Sequence, residues 1–261
     1  MQIFKTVKVR PQQIILLTFI MITSCMFTVI LATHFYQKNS LPYVYQTKTA
    51  SNQVELHTIR TTPEHIGLKA IASNITDLDV SGINGGFFWQ GYLLSIAVEG
   101  DQPVKGKPGE YGSGWFNTDR KRGTLVWDEA AQAFSVQVVE KAEELQVKDR
   151  SRYWAQGGVS MGLQNEEHWA EQAVSEEMPV IDEKRMRSGI VYDKSNQVYL
   201  VVAPTPCTGD EFRNAIKEKV GNGQLVDGLF LDGDGSSQLK LADAALPGDH
   251  REVFQMITLL N

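Results

Sequence analysis

The sequence predicts an α/β (α+β) fold: a single mixed-sheet domain with few helices, preceded by one N-terminal transmembrane helix. Three observations carry the prediction. Short β-rich apolar runs recur along the chain with Gly, Asn, Asp or Ser between them, the punctuation of strands joined by turns. One stretch, TGDEFRNAIKEKVG, carries both helix start and helix stop signals. Ahead of both, Ile14 to Thr33 runs twenty residues without a charge.

The opening MQIFKTVKVRPQQ carries Lys5, Lys8 and Arg10 and no acid. At 1.5 Å per residue the uncharged run that follows spans about 30 Å, the thickness of a bilayer's hydrocarbon core. A cleaved signal peptide has a shorter apolar region of roughly 7–15 residues. Residues 14–33 therefore read as an uncleaved signal anchor, with the basic flank 1–13 cytoplasmic and the C-terminal bulk extracytoplasmic. Cys25, in ITSC, supports a rival reading as a lipoprotein processing site, against which the apolar run continues eight residues past it. Both readings place the same domain on the outer face of a membrane. Residues 34–50, polar and aromatic, read as a tether, and 51–261 as the folded domain.

Without residues 1–35 the chain keeps 22 bases against 31 acids, net −9. An acidic domain with no basic stripe repels nucleic acid, so none is expected as a partner. Cys207 is the one cysteine beyond the anchor, so no disulfide is expected within the domain. At the end of VVAP it reads as a small packing residue.

Within the domain, VELHTIRT alternates as a strand. LKAIASNI reads as a strand or short helix, and LDVSGINGGFF as a strand running into a glycine turn. TLVWD and AFSVQVVE are strands separated by DEAAQ. KAEELQVKD reads as a loop or single helical turn, and EEHWAEQAVSEEM as a helix or a mobile loop. SGIVYDKSNQVYLVVAP is the clearest hairpin, turning at Asp193-Lys194-Ser195-Asn196. In TGDEFRNAIKEKVG, Thr208 or Asp210 caps, acids fill the first turn, Lys217 and Lys219 the last, and Gly221 closes. VDGLFL and VFQMITLL are the final strands.

Three glycine corners each follow an apolar strand: INGGFF with Asn84, Gly85 and Gly86; AQGGVS with Gly157 and Gly158; FLDGDGSSQ with Asp232, Gly233, Asp234, Gly235, Ser236 and Ser237. Paired glycines at strand ends serve tight turns or close backbone approach. With polar partners Asn84, Gln156 and Asp232, the three also suit the rim of a cleft. Asp232 directly follows its strand and is the better positioned carboxylate. D-x-D-x-S also resembles the start of a calcium loop at Asp232 and Asp234. The sixth position of such a loop is glycine, however, and here it is Ser237; the preceding element is a strand, not a helix. No cofactor is otherwise expected. Arg185 and Arg187 lie just before a core strand, where an arginine can clamp a phosphate. The five histidines are scattered without ligand spacing, and no Walker loop, nucleophile elbow or dinucleotide fingerprint occurs.

In this order, INGGFF, AQGGVSMG, Arg185 four residues before Gly189, and FLDGDGSSQL resemble the phosphodiester glycosidase family. The resemblance spans roughly Val54 to Leu241, most of the expected exported part. Val159 stands where the family has proline, Asp234 where it has glycine, and Met186 where a small hydroxyl residue is frequent. The resemblance implies hydrolysis of a sugar 1-phosphodiester on the sugar side of the bridging oxygen. It gives Asp232 the activation of water or the stabilisation of an oxocarbenium-like transition state, and Arg185 the phosphate. The Asn84-Gly85-Gly86 turn would orient substrate through its amides, with Ser236 and Ser237 completing the hydrogen-bonding shell. Glu55, Glu99 and Glu110 are undistinguished candidates for a second carboxylate. The expected partners are a glycan or sugar-phosphate substrate, drawn from a cell-surface glycopolymer, and the membrane through the N-terminal helix. Two rival functions are a non-catalytic carbohydrate- or wall-binding module on the same fold and a calcium-dependent surface adhesion protein.

Overall fold

The computed structural model of the chain describes residues 21–28, 41–118 and 120–260. They divide into two units, one ending at Leu41 and one spanning Pro42–Asn261. In the first, residues 21–28 are helical. The basic flank 1–13 lies outside the described residues, as does most of the expected span 14–33. No helix among the described residues is long and apolar enough to cross a membrane.

The second unit is a sheet-rich α+β domain built around a six-stranded sheet. Its strand order is Val44–Thr49, Glu55–Thr61, Val198–Cys207, Arg185–Asp193, Leu225–Phe230 and Val159–Ser160. The central pair is the hairpin expected from SGIVYDKSNQVYLVVAP. Asp193 Oδ1 closes its turn by accepting from the Ser195 and Gln197 amides at 2.8 and 3.1 Å. Successive side chains of a strand point to opposite faces. Val191 and Val201 thus enter one core, while Ile190, Leu200 and Val202 enter the other. Burial on both faces is why these strands read as unbroken apolar runs rather than as alternation.

Val44–Thr49 corrects the expected tether: this stretch pairs in register with Glu55–Thr61 as the sheet's edge strand, Val44 opposite Arg60. Nearly all its side chains are exposed, so its sequence carries no inward apolar set to betray a strand.

Two helices flank this sheet. The first, α1, spans Trp169–Ser175 and settles EEHWAEQAVSEEM as helical over that range. The second, α2, spans Gly209–Lys219 and begins with a capping box: the Thr208 hydroxyl accepts from the Glu211 amide, and the Glu211 carboxylate from the Thr208 amide. Phe212, Ala215 and Ile216, three and four residues apart, bury one stripe against the sheet. Removing the Phe212 ring would cost about 3–5 kcal/mol.

A second sheet runs in the order Ala133–Val139, Arg122–Asp128, Tyr153–Gly157, Ala97–Glu99 and Gln102–Pro103. A third runs Ala245–Leu246, Leu239–Lys240, Gly82–Asn84, Val253–Leu259 and Ile66–Ser73. KAEELQVKD holds a single 3-10 turn, Ala142–Glu144. One strand from each sheet, ending at Asn84, Gly157 and Phe230, leads into one of the three glycine corners.

Candidate active site

The three corners meet backbone to backbone. The Asp232 amide donates to the Gly85 carbonyl at 3.1 Å, while the Gly158 amide is held by the Gly123 carbonyl of the neighbouring strand Arg122–Asp128 at 2.9 Å. A Cβ on Gly86 would lie 2.9 Å from the Gly157 carbonyl oxygen, and one on Gly158 only 2.3 Å from that of Phe230. Close approach of chains from different sheets therefore accounts for these glycines.

Asn84 ties the junction together. Its Nδ2 donates to the carbonyls of Asp232 (2.7 Å) and Gly85 (3.3 Å), and its Oδ1 accepts from Ser188 Oγ (2.8 Å) and the Gln238 amide (3.1 Å). A carboxamide offers two donor hydrogens and two acceptor positions. All four are engaged inside the protein, so Asn84 holds the Asp232 backbone in place. The amides expected to orient a substrate are engaged as well. Gly85 donates to the Gln255 carbonyl at 2.9 Å, and Gly86 to Gln255 Oε1 at 2.7 Å. Gln255 Nε2 in turn donates to Gln156 Oε1 at 2.8 Å, extending a buried amide chain beneath the junction.

Above it opens a cavity of about 200 Å³, whose lining includes Phe87, Met178, Arg187, Asp232, Asp234 and Arg251. Asp232 Oδ1 accepts from the Gly233 amide at 3.0 Å. Burial pushes the Asp232 carboxyl up to about 6, and Asp234 adds a smaller like-charge push. Hydrogen bonds from Ser236 and Gly233 and the charge of Arg251 pull the other way without cancelling it. Such a group changes protonation near neutrality, as acid–base chemistry requires.

Asp234 has φ +53°, a left-handed conformation in which glycine is unstrained and aspartate is tolerated. Its carboxylate lies 3.7 Å from Arg185 and 4.0 Å from Arg251. Gly235 and Ser236 are buried beside it, with the Gly235 carbonyl accepting from the Asp249 amide. Ser237 is buried, and its hydroxyl has no hydrogen-bond partner within the described residues.

The two arginines of RMRSG part company. Arg185 is half-exposed and bound by Glu183 at 2.6 Å. Arg187 is buried and lines the cavity. It donates through Nε to the Cys207 carbonyl (3.1 Å) and through Nη2 to the carbonyls of Val180 (2.6 Å) and Glu183 (2.7 Å). These bonds use three of its five N–H groups, leaving the Nη1 pair. Burial lowers its pKa. Arginine nevertheless stays protonated. The family resemblance implies Arg185; it is Arg187 that lines the cavity.

Arg251 carries no sequence signal. Asp249 holds its guanidinium at 2.5–2.9 Å, and the side-chain amides of Gln238 and Asn74 fix its carbonyl at 2.9 and 3.2 Å. The second-carboxylate candidates lie elsewhere. Glu55 accepts from His57, Glu99 from the Leu68 amide, and Glu110 from the Lys107 amide. No group of three or more His, Cys, Asp or Glu side chains among the described residues is placed to hold a metal ion. Burial pushes the Cys207 thiol up to about 12, in keeping with a packing role.

No family model and no curated protein sequence matches the chain. Among solved structures, the chain is similar to the catalytic domain of zebrafish N-acetylglucosamine-1-phosphodiester alpha-N-acetylglucosaminidase, auto-inhibited by its pro-peptide. The two share 11% identity and a TM-score of 0.57, over 85% of each chain. A hypothetical protein from Synechocystis aligns at 13% identity and a TM-score of 0.45, covering 83% of this chain and 61% of the other. At such identities the likeness to the zebrafish domain is one of fold.

Proposed function

We propose that this chain is an exported, membrane-anchored hydrolase that cleaves a sugar 1-phosphodiester in a cell-surface glycopolymer. The observation that carries the reading is the pairing, around one cavity, of a carboxyl held near 6 with a buried arginine that has no carboxylate within ion-pair distance among the described residues. The fold it shares with a phosphodiester glycosidase domain supports the same chemistry. Export and anchoring rest on the uncharged run 14–33 and its basic flank.

The free Nη1 hydrogens of Arg187 bind the diester's non-bridging oxygens, with Arg251 across the cavity adding charge. Asp232, ionised, takes a proton from water as the water oxygen bonds to the anomeric carbon. The bond between that carbon and the bridging oxygen breaks, and the oxygen leaves with its electron pair as part of a phosphomonoester. A phosphomonoester is a good leaving group, so strong acid assistance is not needed. Asn84 holds the Asp232 backbone, and Arg185 with Asp234 forms the outer edge.

The test assays the full chain and its Asp232→Asn and Arg187→Met forms against a panel of sugar 1-phosphodiesters in ¹⁸O-water, with and without EDTA. Turnover in the parent alone, label in the sugar product and indifference to EDTA are the expected results. A folded chain with no turnover across the panel would replace the hydrolase with a glycan-binding module.

A further inference from the structure

Beside the cavity the chain turns back in a short hairpin, Phe88–Trp89 paired with Tyr92–Leu93. Its two-residue loop, Gln90-Gly91, has φ +48° and +83°, the positive pair that matches strand twist and makes such hairpins stiff. Lys105 Nζ pins the loop by donating to the Gly91 carbonyl at 2.7 Å. The inner face packs down: Phe88 lies 5.0 Å from the Phe254 ring, and Leu93 is buried. The outer face does not. Trp89 and Tyr92, directly paired across the strands, are 66% and 49% exposed, and Tyr111, 5.4 Å from Tyr92 ring to ring, is 57% exposed.

Three large rings left in water forgo hydrophobic stabilisation, and here they stand on a rigid mount. Their neighbours Gln90, Lys105 and Glu110 are polar and exposed, so hydrogen-bonding groups flank the rings. Flat rings interspersed with hydrogen-bonding groups match a sugar, whose C–H faces stack and whose hydroxyls need partners. Phe87, two residues before Trp89, lines the cavity, so the hairpin starts at the cavity wall. We propose that Trp89, Tyr92 and Tyr111 form a stacking lip for a glycan chain extending out of the cavity. Resting on the hydrolase reading, this makes the substrate an oligosaccharide- or polysaccharide-linked phosphodiester rather than a single sugar phosphate.

The test is calorimetric titration of the full chain with dextran oligosaccharide, mannan oligosaccharide and chitotetraose, which need no turnover to be bound. Saturable binding of at least one is expected. It should weaken by about tenfold, the factor corresponding to 1.4 kcal/mol, in Trp89→Ala and in Tyr111→Ala, and recover in Trp89→Phe, at unchanged melting temperature. No saturable binding of any probe, or equal binding by the Trp89→Ala/Tyr111→Ala double variant, overturns the lip. Glycan binding without phosphodiester turnover keeps the lip and sinks the hydrolase; turnover without glycan binding does the reverse.

Discussion

Arg187 and Arg213 are both buried in the domain, and the fold treats their charges differently. Arg213 donates to the Met161 and Gly162 carbonyls at 3.0 and 2.7 Å, meets Glu166 at 3.0 Å and stacks 4.9 Å over Trp169. Its charge is answered within the protein. Arg187 has three backbone carbonyls and, among the described residues, no carboxylate within ion-pair distance. Burying a cation without an opposite charge is unfavourable. The difference teaches that Arg213 meets its counter-charge at ion-pair distance, whereas Arg187 feels Glu183 and Asp234 only at longer range and lines a cavity it shares with Asp232.

The largest expected effect tests whether that cavity is catalytic. Asp232→Asn should lower kcat by about 10²–10⁴-fold, the usual worth of a positioned acid–base group. It should also stabilise the fold. A carboxyl raised from about 3.9 to about 6 contributes stability below pH 4 that is lost as pH rises through 6. The variant should therefore gain roughly 2 kcal/mol over the parent at pH 8 and little at pH 4, read from urea unfolding at both. Activity of the parent should rise through pH 6 as Asp232 ionises. A variant that kept its turnover would break the contrast with Arg213 by leaving Arg187 no chemistry to serve.

Substituting the two arginines in parallel tests the contrast itself. Arg187→Met should lower kcat/KM by about 10²-fold or more, since hydrogen bonds to charged groups contribute about 1.5–3 kcal/mol each, yet cost less stability than Arg213→Met, because Val180 and Glu183, whose carbonyls it releases, are exposed to water. Arg213→Met should cost roughly 2–3 kcal/mol of stability and leave the kcat/KM of the folded fraction intact. Equal losses of stability in both would mean that Arg187 is structural.

How much of this was legible follows from the range of the interactions. The glycine corners, the capping box at Thr208 and the hairpin at Asp193 are local, and their residue types declare them. The choice between Arg185 and Arg187 is not local. Two positions apart on a strand share a face, so the strand pattern does not separate them, and the family resemblance picks Arg185. The ladder, however, shifts register between them, exposing one and burying the other. Gln238, Gln255 and Arg251 matter because they meet Asn84, Gly86 and Asp232 across long stretches of chain. A single glutamine or loop arginine carries no mark of such a partner.

A smaller effect isolates the anion. Inorganic phosphate at about ten times its Kd should stabilise the parent by roughly 1.4 kcal/mol, a few degrees in Tm. Arg213→Met should show the same increment from its lower starting point, and Arg187→Met none. An increment surviving in Arg187→Met would move the anion to Arg251 or Arg185.

The smallest effect concerns Asp234, the carboxylate that shares the cavity wall with Arg187 and stands at the resembled family's glycine position. Its contacts with Arg185 and Arg251 involve half-exposed groups, and such pairs contribute at most about 1 kcal/mol. Its backbone at φ +53° is one that glycine adopts without strain. Asp234→Gly should therefore change stability by less than about 1 kcal/mol, the two terms opposing. Removing its charge leaves the cavity more positive, so phosphate should bind more tightly. It also withdraws the like-charge push on Asp232. The acid limb of the pH–rate profile should then move to lower pH, by less than desolvation has raised it, because desolvation is the larger cause. A limb that moved upward would mean that Asp234 had been screening Asp232 rather than opposing it.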